Sequence, residues 1–295
     1  SPVRAREWAA LVHRLRSMMT PWYENIPSIH VFRPGDDVTN AAYDLYQKTD
    51  TDQFGPARHA LLLTRGSYAA HSQIPVGYYT SVLGVGNQPD DVTVDSFYAL
   101  DNPDVGNACD NFWRSAEGLH ATNPSITWAT SQAAPLRRVH VDGELWLSEG
   151  LTPHWSSGGF MSSSKVDGPL HFGTQQQFLV RNAELAQGAD GKNMNYVFVG
   201  VSNAPSNSTD GRISTIEATP RVAEKPYLVE RLGAWSICVP QFVYGAVGIA
   251  NSTACERSVP MADVYVARAG DTAATINAGL AAKSALLLTP GLYEL

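Results

Sequence analysis

The residues best equipped for chemistry in this chain are carboxyls set among arginines. Glu117, Asp142, Glu144, Glu149, Asp167 and Glu184 all fall in its repetitive middle. Two carboxyls on opposite sides of a bond can divide acid and base work, one of them carrying a proton. Glu117 and Glu184 each follow an Ala, which suggests equivalent places in one stack. Arg114, Arg138 and Arg181 stand close by, and an arginine row beside a carboxylate row suits a structural ion ladder as well as a site. Asp142 and Asp167 precede glycines and read as turn residues. Flat surfaces are available at Trp113, Trp128, Trp146, Trp155 and Trp235. Trp155, in PHWSSGGF, has an open glycine-rich setting, and Trp146 alternates with Leu145 and Leu147. Packing in the interior is the competing use of these rings. The amides of GTQQQF, Gln176 among them, could meet hydroxyl groups or form a ladder between layers. His140, His154 and His171 fall at unlike places, and Gly-x-Ser-x-Gly is absent. No Cys/His spacing suits zinc and no nucleotide-binding loop is present, so neither metal nor cofactor is expected.

The elements that position these groups must come from 295 residues, 44% apolar and 17% charged, with a formal charge of −7. That charge argues against a general nucleic-acid binder. No apolar run reaches the roughly 20 residues that span a bilayer. Low charge with many small polar and aromatic residues suits β-rich extracellular proteins that handle neutral carbohydrate. Ser1 reads as a processed or trimmed end. Sequons at Asn207 and Asn251 are candidate glycosylation sites. Cys238 and Cys255 could close a short loop in an oxidising compartment, leaving Cys109 over; three buried thiols are the alternative. A secreted protein is expected.

Two nested repeats organise the chain. VFRPGDDVTNAAYDLYQK (31–48) matches VYVARAGDTAATINAGLAAK (264–283), and both lead into ALLL and a Gly-x-Tyr turn. Each copy reads strand, turn, short helix, buried strand, with Asp36 or Asp37 and Asp271 or Thr272 as helix caps. Matching order over four elements points to internal duplication. The second copy stops at Leu295, which suggests a longer intact protein. Between the copies a finer unit begins at Phe112, Leu136, Phe160, Phe178 and Tyr196, at intervals of 24, 24, 18 and 18. Strand-rich units of this length without helices predict a parallel β-helix, in which each coil buries its apolar side on the next. Registering the units sets Ser115, Val139, Ser164 and Asn182 in one column and Arg114, Arg138, Ser163 and Arg181 in the adjacent one. Gly118, Gly143 and Gly168 would mark turns with positive φ. An antiparallel sandwich is the rival architecture. Trp8, Leu11, Val12, Leu15, Met18 and Met19 share one side of an amphipathic helix, expected to cap an open coil end, with a membrane-surface anchor as the alternative.

The segments GYYTSVLGVGNQPDDVTV, NFWRSAEGL, WATSQAAPLRRVHVDGELWL, WSSGGFMSSSKVDG, GTQQQFLVRNAEL and NMNYVFVGV carry a family resemblance. From about residue 26 to the end the chain is similar to secreted tandem right-handed β-helix proteins related in architecture to the exo-β-1,3-glucanases of glycoside hydrolase family 55. The resemblance implies an all-β, pectin-lyase-like right-handed parallel β-helix. With the amphipathic capping helix over 1–25, the expected division is a first β-helix over 26–260 and the opening of a second over 261–295. In that family the substrate cleft lies largely between two β-helices, so a polysaccharide and a second β-helix domain, or another chain, are the expected partners.

The function that follows is a polysaccharide-active protein cleaving β-glucan or a related glycan, with Glu117 and Glu184 as catalytic candidates. Trp146, Trp155, Arg114, Arg138, Arg181 and Gln176 are the candidate substrate contacts. The alternative is a non-catalytic extracellular or cell-surface scaffold whose long regular face docks a partner.

Overall fold

The computed structural model describes residues 21–68, 72–151, 153–190, 195–249 and 253–294. The expected N-terminal amphipathic helix and the Asn251 sequon lie outside the described residues. Short apolar segments broken by Gly, Pro, Asn and Ser cannot form long elements, and they do not. They form strands of two to seven residues wound as a right-handed parallel β-helix.

Three parallel sheets run its length. A nine-stranded sheet takes one strand per coil, from Ile29–Phe32 and His59–Leu63 through Thr80–Gly84 and Ser115–Glu117 to Ile213–Ile216. A six-stranded sheet includes Val92–Val94, His120–Ala121, His140–Val141 and Lys165–Val166, and a four-stranded one includes Glu144–Trp146 and Leu170–His171. Alternation along each strand sends one row inward. On the nine-stranded sheet that row is Leu61, Val82, Ala116, Leu136, Met161, Val180 and Phe198, in register and fully buried. Val94, Ala121, Val141, Val166 and Leu185 form the row facing inward from the six-stranded sheet. Each Val, Leu, Met or Phe of these rows contributes roughly 1.5–3 kcal/mol of burial, collected only when the next coil is in place.

This register corrects the expected columns. Leu136 lies opposite Ala116, so Arg137 follows Glu117, and Ser162 and Arg181 continue that outward row. Arg138 and Ser163 are neighbours as expected, but Asn182 and not Arg181 continues their column, and Arg114 lies outside it. Val139 and Ser164 likewise share a column, while Ser115 pairs instead with Ser81 on the nine-stranded sheet. The column of Gly118, Arg138, Ser163, Asn182 and Gly200 has φ between 49° and 70° throughout, a left-handed corner at which every coil leaves the sheet. A second such corner, at Tyr79, Trp113, Ala133 and Gly158, precedes it. Gly143 and Gly168 are not at positive φ. A Cβ on Gly143 would lie 2.1 Å from the Pro124 carbonyl oxygen, and one on Gly168 would lie 2.4 Å from that of Gly143. Close approach of stacked backbones, not dihedral freedom, requires glycine there.

Helix α1 (Val38–Thr49) follows the first strand with Asp37 as its N-cap. After the coil stack the chain turns antiparallel: Tyr227–Arg231, Ala234–Pro240 and Cys255–Pro260 form a three-stranded sheet, with Cys238 and Cys255 disulfide-bonded. Closing a loop of this size is worth about 3 kcal/mol in the chain-entropy account. Cys109 is free and exposed. The last elements, Val264–Ala267, α2 (Ala273–Ala281, N-cap Thr272) and Ala285–Leu288, repeat the opening order, and the two strands pair in parallel.

Candidate functional site: the groove on the long sheet

Over its first strands the outer face of the nine-stranded sheet is covered rather than open. Leu228 and Trp235 of the antiparallel sheet pack on Ala60, Leu62, Leu83 and Val85, while Ile237 and Val259 of the same sheet pack against Val264, Ala285 and Leu287 of the closing segment. The antiparallel sheet therefore acts as a wedge between the coil stack and the closing segment. A groove of about 240 Å³ remains beside it, floored by Ile29, Ala60, Leu62 and Leu83 and edged by Ser81, Ser115, Lys225, Leu288 and Pro290. A wider depression, about 600 Å³, continues past Thr289 and Pro290 to Arg58, His59 and Arg268. Ser28 Oγ donates to the Pro290 carbonyl at 2.8 Å and ties the two sides together.

Charge gathers where the apolar floor ends. Glu117 is buried, accepts a hydrogen bond from Lys225 Nζ and faces Arg138 at 3.9 Å. Arg138 is also buried, donates to the Asn87 carbonyl and lies 3.4 Å above the Tyr227 ring. Further along the row, Glu224 accepts from Arg181 at 2.8 Å, with Arg137 at 3.9 Å, and both guanidiniums stack on Phe160. Each of these two carboxylates, which lie beyond the groove lining, is thus matched to cations. A proton-donating carboxyl needs apolar surroundings instead.

The other expected residues are dispersed. Glu184 lies on the six-stranded sheet, opposite Lys165, and does not share a stack with Glu117. Arg114 is fully inside, donating to the Val76 carbonyl and facing Asp50 at 3.5 Å. Trp146 stands outward on the four-stranded sheet with His171 stacked on it at 4.1 Å, so a neighbouring ring already occupies one of its faces. Trp155 is 38% exposed on a connector. Gln176 is half-buried in the connector before Gln177–Arg181, whereas Gln175 reaches across coils to the Thr130 and Leu147 carbonyls. Asn207 is exposed, and its Oδ1 accepts from the Thr215 amide.

A histidine ladder went unread in the sequence. His120 and His140 stack at 4.2 Å, nearly parallel, on the outside of the six-stranded sheet. His140 Nδ1 meets Asp90 at 2.6 Å and Nε2 meets Asp167 at 2.9 Å, while His120 Nε2 meets Asp142 at 2.7 Å. Burial works against a charged His140, yet the bonds to Asp167 and Asp90 prevail and hold its imidazole above the ordinary value. The signal was available: Leu-His-Ala and Val-His-Val stand in register once Leu136 is set against Ala116.

No protein-family profile matches the chain. It is 37% identical over 276 residues, 91% of its length, to an exo-β-1,3-glucanase of Streptomyces sp. (strain SirexAA-E / ActE), of which it covers 45%. The structure of sacteLam55A from Streptomyces sp. SirexAA-E superposes with a TM-score of 0.85 at 36% identity, over 90% of this chain and 49% of that one. A Glu-to-Ala variant of sacteLam55A in complex with glucose gives a TM-score of 0.83 at 38% identity, with the same coverage. The chain spans about half the length of the relatives it matches. By sequence and by fold, it is a parallel β-helix protein related in architecture to the exo-β-1,3-glucanases of glycoside hydrolase family 55.

Proposed function

We propose that this protein acts on β-glucan outside the cell and that the groove on the nine-stranded sheet seats the end of a glucan chain. The observation that carries this reading is the groove itself, in a chain 37% identical to an exo-β-1,3-glucanase. Its floor is apolar and its edge holds a few hydroxyls and one ammonium, which matches the two kinds of surface a pyranose offers. Its volume, about 240 Å³, is below the roughly 300–1,000 Å³ typical of ligand cavities, so it suits a chain end and not a long stretch. Ser81, Ser115 and Lys225 would meet sugar hydroxyls, and the row of Glu117, Arg137 and Arg181 would continue the polar track. Because no carboxylate lines the groove and those beyond its edge, Glu117 and Glu224, are ion-paired, this chain reads as the glucan-seating part. Hydrolysis would then draw its proton donor from the part of the relatives' length that this chain does not span.

The test is binding of a soluble β-1,3-glucan such as laminarin, by calorimetry, to the folded chain, alongside reducing-sugar release. Affinity that falls at least tenfold in Ser115→Trp, which fills the groove, supports the reading. A cooperatively folded chain that binds no β-glucan would overturn it and leave a docking scaffold as the better account.

A further inference from the structure

Away from the groove, two surface connectors meet at a group of side chains to which the glucan reading gives no work. Asp101 follows the strand Ser96–Tyr98, while Glu149 and His154 lie in the connector after Glu144–Trp146. His154 Nδ1 stands 2.7 Å from Asp101 Oδ2, and the Asp101 amide donates to Glu149 Oε2 at 2.7 Å. One donor atom from each residue lies within 4.8 Å of the others. The Asp101 side chain is only 8% exposed, and its Oδ1 is inaccessible and has no hydrogen-bond partner among the described residues. A carboxylate oxygen buried in this way has lost its water and gained nothing in exchange. A second carboxylate, Glu149, sits beside it. Two negative groups and one imidazole leave the cluster short of positive charge.

The histidine ladder makes the contrast. There both nitrogens of His140 and Nε2 of His120 are matched to carboxylates, and Lys165 supplies a further cation to Asp167. That cluster is balanced as it stands.

We infer that Asp101, Glu149 and His154 form a divalent metal site of the zinc class. One nitrogen with two carboxylate oxygens is a ligand set that zinc accepts with a water in the fourth place, whereas calcium favours six to eight oxygens. Donors about 2.0–2.2 Å from a tetrahedral ion stand roughly 3.4 Å from one another, so an ion would replace the hydrogen bond between His154 Nδ1 and Asp101, parting those atoms and drawing Glu149 in. His154, with its side chain 42% exposed, leaves an entry path. An ion held there would staple the two connectors together next to Trp155, whose carbonyl already accepts from the Ala108 amide at 2.8 Å.

The experiment is calorimetric titration of chelator-treated protein with Zn²⁺, with Ca²⁺ in parallel, followed by the absorption spectrum with Co²⁺. One Zn²⁺ per chain and an intense tetrahedral Co²⁺ spectrum are expected. Affinity should fall at least about tenfold in Glu149→Gln and in His154→Ala, both altered at partly exposed side chains, and should be unchanged in His140→Ala and Cys109→Ser. The inference is overturned if the folded protein binds no Zn²⁺ or prefers Ca²⁺. It is equally overturned if binding survives His154→Ala and disappears in His140→Ala or Cys109→Ser.

Discussion

The Tyr68 hydroxyl lies 2.7 Å from the Phe32 carbonyl and 2.9 Å from that of Thr64, and Tyr293 repeats both contacts, at 3.0 Å to Ala267 and 2.9 Å to Thr289. The Thr64 and Thr289 hydroxyls reach the same carbonyls of the preceding strands. In each case Thr-x-Gly-x-Tyr closes the first coil by tying its second strand to its first. Burial pushes the Tyr68 phenol up to about 12.

Tyr68→Phe should therefore cost about 1 kcal/mol at neutral pH, read by urea denaturation. The phenol is more acidic in the unfolded chain, near 10, than in the folded one, so its contribution is complete below pH 10. It is lost as pH rises above 10, and the wild-type curve should meet the Phe curve and fall below it before pH 12.

Gly143→Ala and Gly168→Ala should each destabilise by about 3 kcal/mol or more. The added methyl meets the backbone of the coil beneath, which cannot rotate aside. Gly233→Ala, at φ of +86° with nothing within 4 Å, carries dihedral strain without collision and should cost only about 1–2 kcal/mol. Thermal melts of the three variants would rank them, and a Gly143→Ala protein as stable as wild type would refute the stacking argument.

Glu117→Ala takes from the buried Arg138 guanidinium its nearest carboxylate and leaves it only the weaker field of Asp91, which should cost about 3 kcal/mol. Lys225→Ala removes the other partner, whose side chain is 51% exposed, and should cost at most about 1 kcal/mol. Equilibrium unfolding of both variants checks the asymmetry.

His140 sets a pH dependence of opposite sense to that of the carboxylates. Its folded value is raised above 6.5, so its stabilisation is complete below that pH and fades as pH rises through the raised value. Asp167, facing His140 and Lys165, is held below 3.8 despite its burial, and its share is lost only in acid, as pH falls through the lowered value. Asp90, Asp142 and His120 complete the surroundings. Between pH 6 and 9 the wild type should lose more of its melting temperature than His140→Gln does.

The coil architecture was legible because runs such as Leu61–Leu62–Leu63 and the recurrent glycines leave little else to build. The opening and closing segments were legible for the same reason, their capping residues and Thr-x-Gly-x-Tyr turns being local. Register was not legible. Connector lengths differ from coil to coil, so counting from Phe112 to Leu136 set Arg114 beside Arg138 when Glu117 is the neighbour of Arg137. That slip joined Glu117 to Glu184 and hid the His120–His140 stack. Glu117 takes one partner, Arg138, from a corner and another, Lys225, from the segment before the antiparallel sheet, and the same segment brings Glu224 to Arg137 and Arg181; no periodicity announces such contacts.

The left-handed corners at Tyr79, Trp113, Ala133 and Gly158, and at Gly118, Arg138, Ser163, Asn182 and Gly200, work as joints that return each winding to the same track. A connector between them can lengthen or shorten while the rungs on either side keep their alignment. Evolution, or an engineer, can therefore vary the loops of this solenoid one at a time, like tools on a common handle.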